Sequence, residues 1–148
     1  MATQKFSAVR EYPAADPTTA QQHYLARLAV ETDVSDVIHD MVAGTGNLIV
    51  LDMRSPEDYA LCHIKGAYSL PHRRISAETT KDFPKDTMLV TYCWGVACNS
   101  STKGAAKLAA LGFSVKEMIG GIEYWRHEGC PVEGTLGEKA PLHWRHQA

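Results

Sequence analysis

Two short apolar runs decide what this chain can fold into: "NLIVLD" at 47–52, four apolar residues closed by an acid, and "TMLVTY" at 87–92, which runs into Cys93. A strand that is apolar on both faces has to be covered on both faces. Such runs therefore belong to parallel sheets clothed by helices. The segments around them supply those helices. In "DPTTAQQHYLARL", Asp16 is placed as a cap and Pro17 at the first helical position, and the apolar "ARLAV" follows. "TDVSDVIHDMVAG" sets Val34, Val37, Ile38, Met41 and Val42 at helical spacing, with Gly44 placed to end the turn. "SPEDYALC" opens with Ser55 as cap, Pro56 next, and Glu57 and Asp58 in the first turn, where the helix dipole favours acids. The alanine-rich "SSTKGAAKLAALGF" predicts a helix ending at Gly112, and "IEYWRHEG" a closing one. "AYSL" and "SVKEMIGG" read as further short strands. Strands alternating with helices imply βαβ units and a mostly parallel sheet.

The 148 residues suit one domain with a real core. The boundaries expected are a polar N-terminal arm over 1–16, a folded unit over 17–134 and a loosely attached tail over 135–148, with Trp144 a candidate to dock. A net charge of −2 gives no electrostatic reason to expect nucleic acid or an anionic membrane as partner. No apolar run approaches the roughly 18 residues of a membrane-spanning helix. The opening "MATQKFSAVREYPAADP" lacks the apolar core of a secretory signal, so a cytoplasmic, thiol-reducing location is expected. The four cysteines, Cys62, Cys93, Cys98 and Cys130, are spaced too irregularly for a structural zinc site, and neither metal nor cofactor is expected.

Ligands and reactive groups in open parallel sheets gather at the carboxyl ends of the strands. Asp52 and Cys93 stand at two such ends. After Cys93 the loop "WGVACN" contains Gly95, which permits tight curvature, and then the helix begins. A loop of this kind can aim several N–H groups, and the positive end of the next helix, at one sulfur. A thiolate held there is stabilised, so the thiol's pKa is expected to fall. The competing reading is that Cys93 is a small buried hydrophobe.

Four motifs in order, "LDMRSPEDY" (51–59), "HIKGAYSLP" (63–71), "VTYCWGVACNSSTKGAAKLAALGF" (90–113) and "MIGGIEYWRHEG" (118–129), make the chain resemble the single-domain rhodanese-like sulfurtransferases from about Val30 to Glu133. The resemblance implies an α/β fold with a central, mainly parallel five-stranded sheet flanked by helices on both faces. It implies Cys93 as the nucleophile, which would take a sulfane sulfur as a persulfide and pass it to a thiol or another acceptor. It implies a donor site in the loop Trp94, Gly95, Val96, Ala97, Cys98 and Asn99. Asp52 and Arg54 match the family's strand-end "D-x-R", and His63 and Gly66 its "G-H-I-x-G-A" turn, as supporting residues. Two departures bear on function. The turn's glycine and proline are replaced by Cys62 and Lys65, and the loop after Cys93 lacks the basic residue that often meets an anionic donor. The nearest basic candidates are Arg73, Arg74 and Lys103. A persulfide-bearing small thiol or protein is therefore expected to serve better than thiosulfate.

Cys98 carries two readings, a resolving thiol that attacks a persulfide or sulfenate on Cys93, and a packed side chain under the helix start. Trp94 either walls the site or simply packs. His72, Arg73 and Arg74 either face its rim or form a solvated cluster. His63 is read as a hydrogen-bonding turn residue, and Cys62 and Cys130 as inert. A phosphatase or arsenate reductase would place arginine at position 99, which is Asn. A thiol-redox sensor using Cys93 and Cys98, and a non-catalytic rhodanese-like binding module, stay open beside the sulfurtransferase. The sequence leaves oligomeric state open.

Overall fold

The computed structural model describes residues 5–142. In chain order its elements are α1 (Pro17–Val30), β1 (Glu31–Thr32), α2 (Val34–Ala43), β2 (Leu48–Asp52), α3 (Pro56–Leu61), β3 (His63–Ile64), β4 (Tyr68–Ser69), β5 (Met88–Tyr92), α4 (Ser100–Ala110), β6 (Ser114–Met118), α5 (Gly121–His127) and β7 (Val132–Glu133). Five strands form one parallel sheet in the order β1-β6-β5-β2-β4. β5 is therefore the central strand.

The two apolar runs bury both faces, as their composition requires. Alternation along β2 and β5 sends Val50, Val90 and Tyr92 to one side, where they meet Val34 and Val37 of α2 and Ile122 and Trp125 of α5. Leu51 and Leu89 point to the other side, against Leu108 of α4, Met53 and Phe113. The helix starts follow their caps. Asp16, Asp33 and Ser55 each accept an N–H of the first turn through the side chain. Gly44 closes α2 in the left-handed conformation. α1 contributes no buried residue. No helix among the described residues is long and apolar enough to cross a membrane.

Two features differ from the sequence reading. β3 and β7 form a separate antiparallel pair, with His63 opposite Glu133. Strands of two residues carry no periodicity, and their pairing joins segments about 70 positions apart. The tail is also held further than expected. Thr135 and Leu136 donate their N–H groups to the carbonyls of Ala60 and Leu61, and Ala140 is only 8% exposed within the α2/α5 core. Arg126 fixes that segment by donating to the Glu138 and Ala140 carbonyls at 3.0 and 2.7 Å. Each of these bonds ends on a main-chain carbonyl, which side-chain patterning does not reveal. Trp144 lies outside the described residues.

Candidate active site

The adjacent ends of β2 and β5 bring Asp52 into register with Tyr92, the residue before Cys93. Asp52 is fully buried and would be costly there without partners. It has three. Arg54 grips it bidentately, Nε to Oδ1 at 3.1 Å and Nη2 to Oδ2 at 2.8 Å, and the Arg54 main-chain N–H adds a bond of 2.9 Å. The Tyr92 hydroxyl donates to Oδ2 at 2.6 Å and accepts from the Ile64 N–H at 3.2 Å. Burial, with the Asp52 charge adding to it, pushes the Tyr92 hydroxyl well above its ordinary pKa, so it stays a neutral donor. Burial opposes the Arg54 charge, but the Asp52 carboxylate overcomes it and raises the guanidinium. Arg54 also donates to the Cys62 carbonyl and lays its guanidinium over the Trp94 ring, 4.3 Å from the centroid. One ion pair thus ties the strand ends to the α3–β3 turn and to the loop after Cys93.

That loop is clamped from its other side by α5. The carbonyls of Cys93 and Trp94 accept N–H bonds from Ile122 (3.0 Å) and Glu123 (2.9 Å), in the first turn of α5. The approach leaves no room at Gly121. A Cβ there would sit 2.5 Å from the Cys93 carbonyl oxygen and 2.7 Å from the Gly95 nitrogen, and its φ of +65° disfavours any side chain. A Gly121→Ala chain is expected to lose about 1–3 kcal/mol of stability. Urea denaturation measures this, and an unchanged midpoint would show that the loop has slack.

Beyond Trp94 the chain turns back, the Cys98 N–H donating to the Gly95 carbonyl at 3.2 Å. The turn brings Cys98 onto Cys93, and the two are joined by a disulfide with Cα atoms 6.3 Å apart. The sequence reading expected a free thiolate on Cys93. In this structure Cys93 is 2% exposed, and its sulfur is committed to Cys98 and does not titrate. Cys62 and Cys130 are free, and burial raises both thiols above their ordinary pKa, which opposes reactivity.

Cys93, Cys98 and Trp94 open into a depression of about 440 Å³, whose walls include Arg54, Arg73 and Arg74. The two exposed arginines belong to a 3-10 turn at His72–Arg74, tethered to α4 by Lys107 Nζ donating to the His72 carbonyl at 2.9 Å. His72 itself has its pKa lowered, first by burial and then by Lys107. Ser100, at the start of α4, completes a wall and was not singled out by its sequence position.

Other residues read as donor-binding lie elsewhere. Gly95 packs on Glu123, Val96 is 79% exposed toward a second hollow with Ile119 and Tyr124, and Ala97 is exposed. Asn99 is the residue before α4 but makes no side-chain cap. His63 stacks on Tyr59 and donates from Nδ1 to the Tyr59 carbonyl at 2.7 Å, while Nε2 faces Glu133 at 3.2 Å. It buttresses the β3/β7 pair and is not among the residues of the depression. Tyr92 escaped the sequence reading as a functional residue, although its place beside Asp52 at two matched strand ends was a usable signal. A larger hollow of about 980 Å³ lies between α5 and the C-terminal segment and holds neither Cys93 nor Cys98. Among the described residues no cluster of His, Cys, Asp and Glu is suited to hold a metal ion.

Fold and site together define a parallel α/β protein carrying a two-cysteine loop at the carboxyl end of its central strand. A family model described as the Rhodanese-like domain matches residues 35–128, and the chain belongs to that family. Among similar proteins, the thiosulfate sulfurtransferase GlpE of Pseudomonas fluorescens is 40% identical over 90 residues, spanning 60% of this chain and 79% of the relative. GlpE of Actinobacillus succinogenes is 34% identical over 103 residues, or 68% and 87% of the two chains. The crystal structure of the BH2092 protein from Bacillus halodurans superposes with a TM-score of 0.85 at 52% identity, covering 87% of this chain and 94% of that one.

Proposed function

We propose that the protein is a sulfurtransferase in which Cys93 takes a sulfane sulfur from thiosulfate or a low-molecular-weight persulfide and hands it, as a persulfide, to a thiol acceptor. The observation that carries this reading is the position of Cys93 at the end of the central strand, facing a depression with arginines on its wall. The sulfurtransferase names of the relatives support it. The reduced Cys93 thiolate attacks the outer sulfur of thiosulfate, the S–S bond breaks, and sulfite leaves with the bonding pair. The acceptor thiolate then attacks the outer persulfide sulfur and frees Cys93 for another cycle. Working this way requires a reducing compartment, and we place the protein in the cytoplasm.

Arg73 and Arg74 supply the positive charge that the loop itself lacks, so thiosulfate becomes a competent donor. Replacing both by Ala is expected to lower kcat/KM for thiosulfate about tenfold at low salt, the deficit shrinking as salt screens the field. A deficit that ignores salt would assign the arginines a different role. The reading as a whole is tested by intact mass spectrometry of the reduced Cys98→Ser chain, which has no second loop thiol to consume a persulfide, after incubation with thiosulfate or, separately, glutathione persulfide. A gain of one sulfur atom is expected. No gain from either donor would refute it.

The disulfide favours a second reading, a thiol-redox sensor. That role predicts a peroxide-induced mobility shift lost in both Cys93→Ser and Cys98→Ser, with no sulfur gain by the Cys98→Ser chain.

A further inference from the structure

The turn that returns Cys98 to Cys93 places a second thiol against the atom that would carry the sulfur. We propose that Cys98 is an internal acceptor that resolves the Cys93 persulfide by attacking its inner sulfur, so that the protein releases hydrosulfide and is reset by an external dithiol. The inference rests on the persulfide reading above and adds a reaction to it.

The step balances without an outside oxidant. Cys98 gives its proton to the outer sulfur of the persulfide, and its thiolate forms a bond to the Sγ of Cys93. The bond between that Sγ and the outer sulfur breaks, and the outer sulfur leaves as hydrosulfide with the electron pair. Cys93–S–S⁻ and Cys98–SH thus become the Cys93–Cys98 disulfide and HS⁻. The outer sulfur is reduced, and the two cysteine sulfurs are together oxidised. The structure contains the product of this step, since the two cysteines are bonded to each other.

Geometry favours attack on the inner sulfur. The Cys93 and Trp94 carbonyls are pinned to α5, so that end of the loop is fixed, while the Gly95–Cys98 turn folds the second thiol back over it. Hydrosulfide is a weaker base than an alkyl thiolate and so the better leaving group. The reset has a direction too. Cys93 is buried, whereas Cys98 is partly exposed beside the open depression. A small dithiol, or the dithiol of a protein reductant, reaches the Cys98 sulfur first and expels Cys93 as the thiolate, ready for the next donor. The dithiol leaves as a disulfide. The sum is thiosulfate plus dithiol giving sulfite, hydrogen sulfide and the oxidised dithiol.

The test uses the full chain, reduced, freed of reductant and exposed to one equivalent of thiosulfate or of glutathione persulfide. Sulfide is measured by methylene blue and the protein by intact mass. The wild type is expected to release one sulfide per chain while losing both thiol hydrogens. Cys98→Ser is expected to hold the added sulfur and to release sulfide about 100-fold more slowly, the neighbouring thiol having been removed. A wild type that keeps its persulfide as long as Cys98→Ser does, or one whose extra sulfur is found on Cys98, overturns this inference and leaves sulfur transfer standing. If neither chain takes up sulfur from either donor, the sulfurtransferase reading falls, and this inference with it. The wild-type coupling of sulfide to disulfide decides the matter even if Cys98→Ser does not fold.

Discussion

A Cys93→Ser chain is expected to lose cyanide-dependent sulfur transfer by roughly 10⁴-fold or more, the order seen when a covalent nucleophile is removed. Serine keeps the size of the side chain and can still accept and donate hydrogen bonds, so the fold should hold. What it lacks is a polarisable anion at neutral pH and the ability to form a sulfur–sulfur bond. Neither thiol outside the loop can replace it. Cys62 is buried and bonded through its carbonyl to Arg54, and Cys130 lies outside the depression. Burial also raises the pKa of both. The measurement is thiocyanate formation from thiosulfate and cyanide, with circular dichroism as the control for folding. Retention of more than about a tenth of the activity would move the chemistry to a different thiol.

The largest stability effect is expected at Arg54, far more than at any surface charge. Arg54→Ala leaves the Asp52 carboxylate buried with only the Tyr92 hydroxyl and the remaining main-chain N–H, and is expected to cost about 3–5 kcal/mol in urea denaturation. It also withdraws the cation from the Trp94 face, loosening one wall of the depression. The coupled change is informative. Asp52→Asn with Arg54→Met removes both charges and keeps most of the volume, so the double variant should be more stable than Arg54→Ala alone. If the double variant is the less stable of the two, the stranded carboxylate is not the source of the cost. The partly exposed Arg27–Glu31 pair, which links the last turn of α1 to β1, offers a contrast, where loss should lie within about 1 kcal/mol.

The parts that were legible in the sequence are those whose signals are local. "NLIVLD" and "TMLVTY" became adjacent central strands because a run apolar on both faces has few other places to go. Asp16, Asp33 and Ser55 started helices because their side chains meet N–H groups only three residues ahead. Cys93 and Asp52 could be placed together because parallel strands share a direction, so their carboxyl ends share an edge. The rest depended on segments meeting across the chain. The sequence names Arg73 and Arg74 as basic candidates and leaves the site rim and a solvated cluster both open; they line the depression from a 3-10 turn about 20 residues before Cys93, a position that local pattern does not fix. The Cys93–Cys98 bridge depends on how tightly the chain turns at Gly95, and spacing alone leaves the direction of the thiols undecided. Gly120 and Gly121 stand together where β6 leads into α5. The second is required because α5 meets the cysteine loop main chain to main chain.

Sulfur transfer as proposed requires one placement above all, the transferred sulfur on residue 93. It is tested most directly by loading the reduced protein with donor, trapping it at once with an alkylating agent and sequencing the peptides by tandem mass spectrometry. To hold the intermediate, the Cys98→Ser chain is run beside the wild type. An alkylated persulfide on the peptide containing Cys93 is the predicted result. Extra sulfur confined to Cys62, Cys98 or Cys130, with Cys93 carrying only the simple alkyl group, would contradict it.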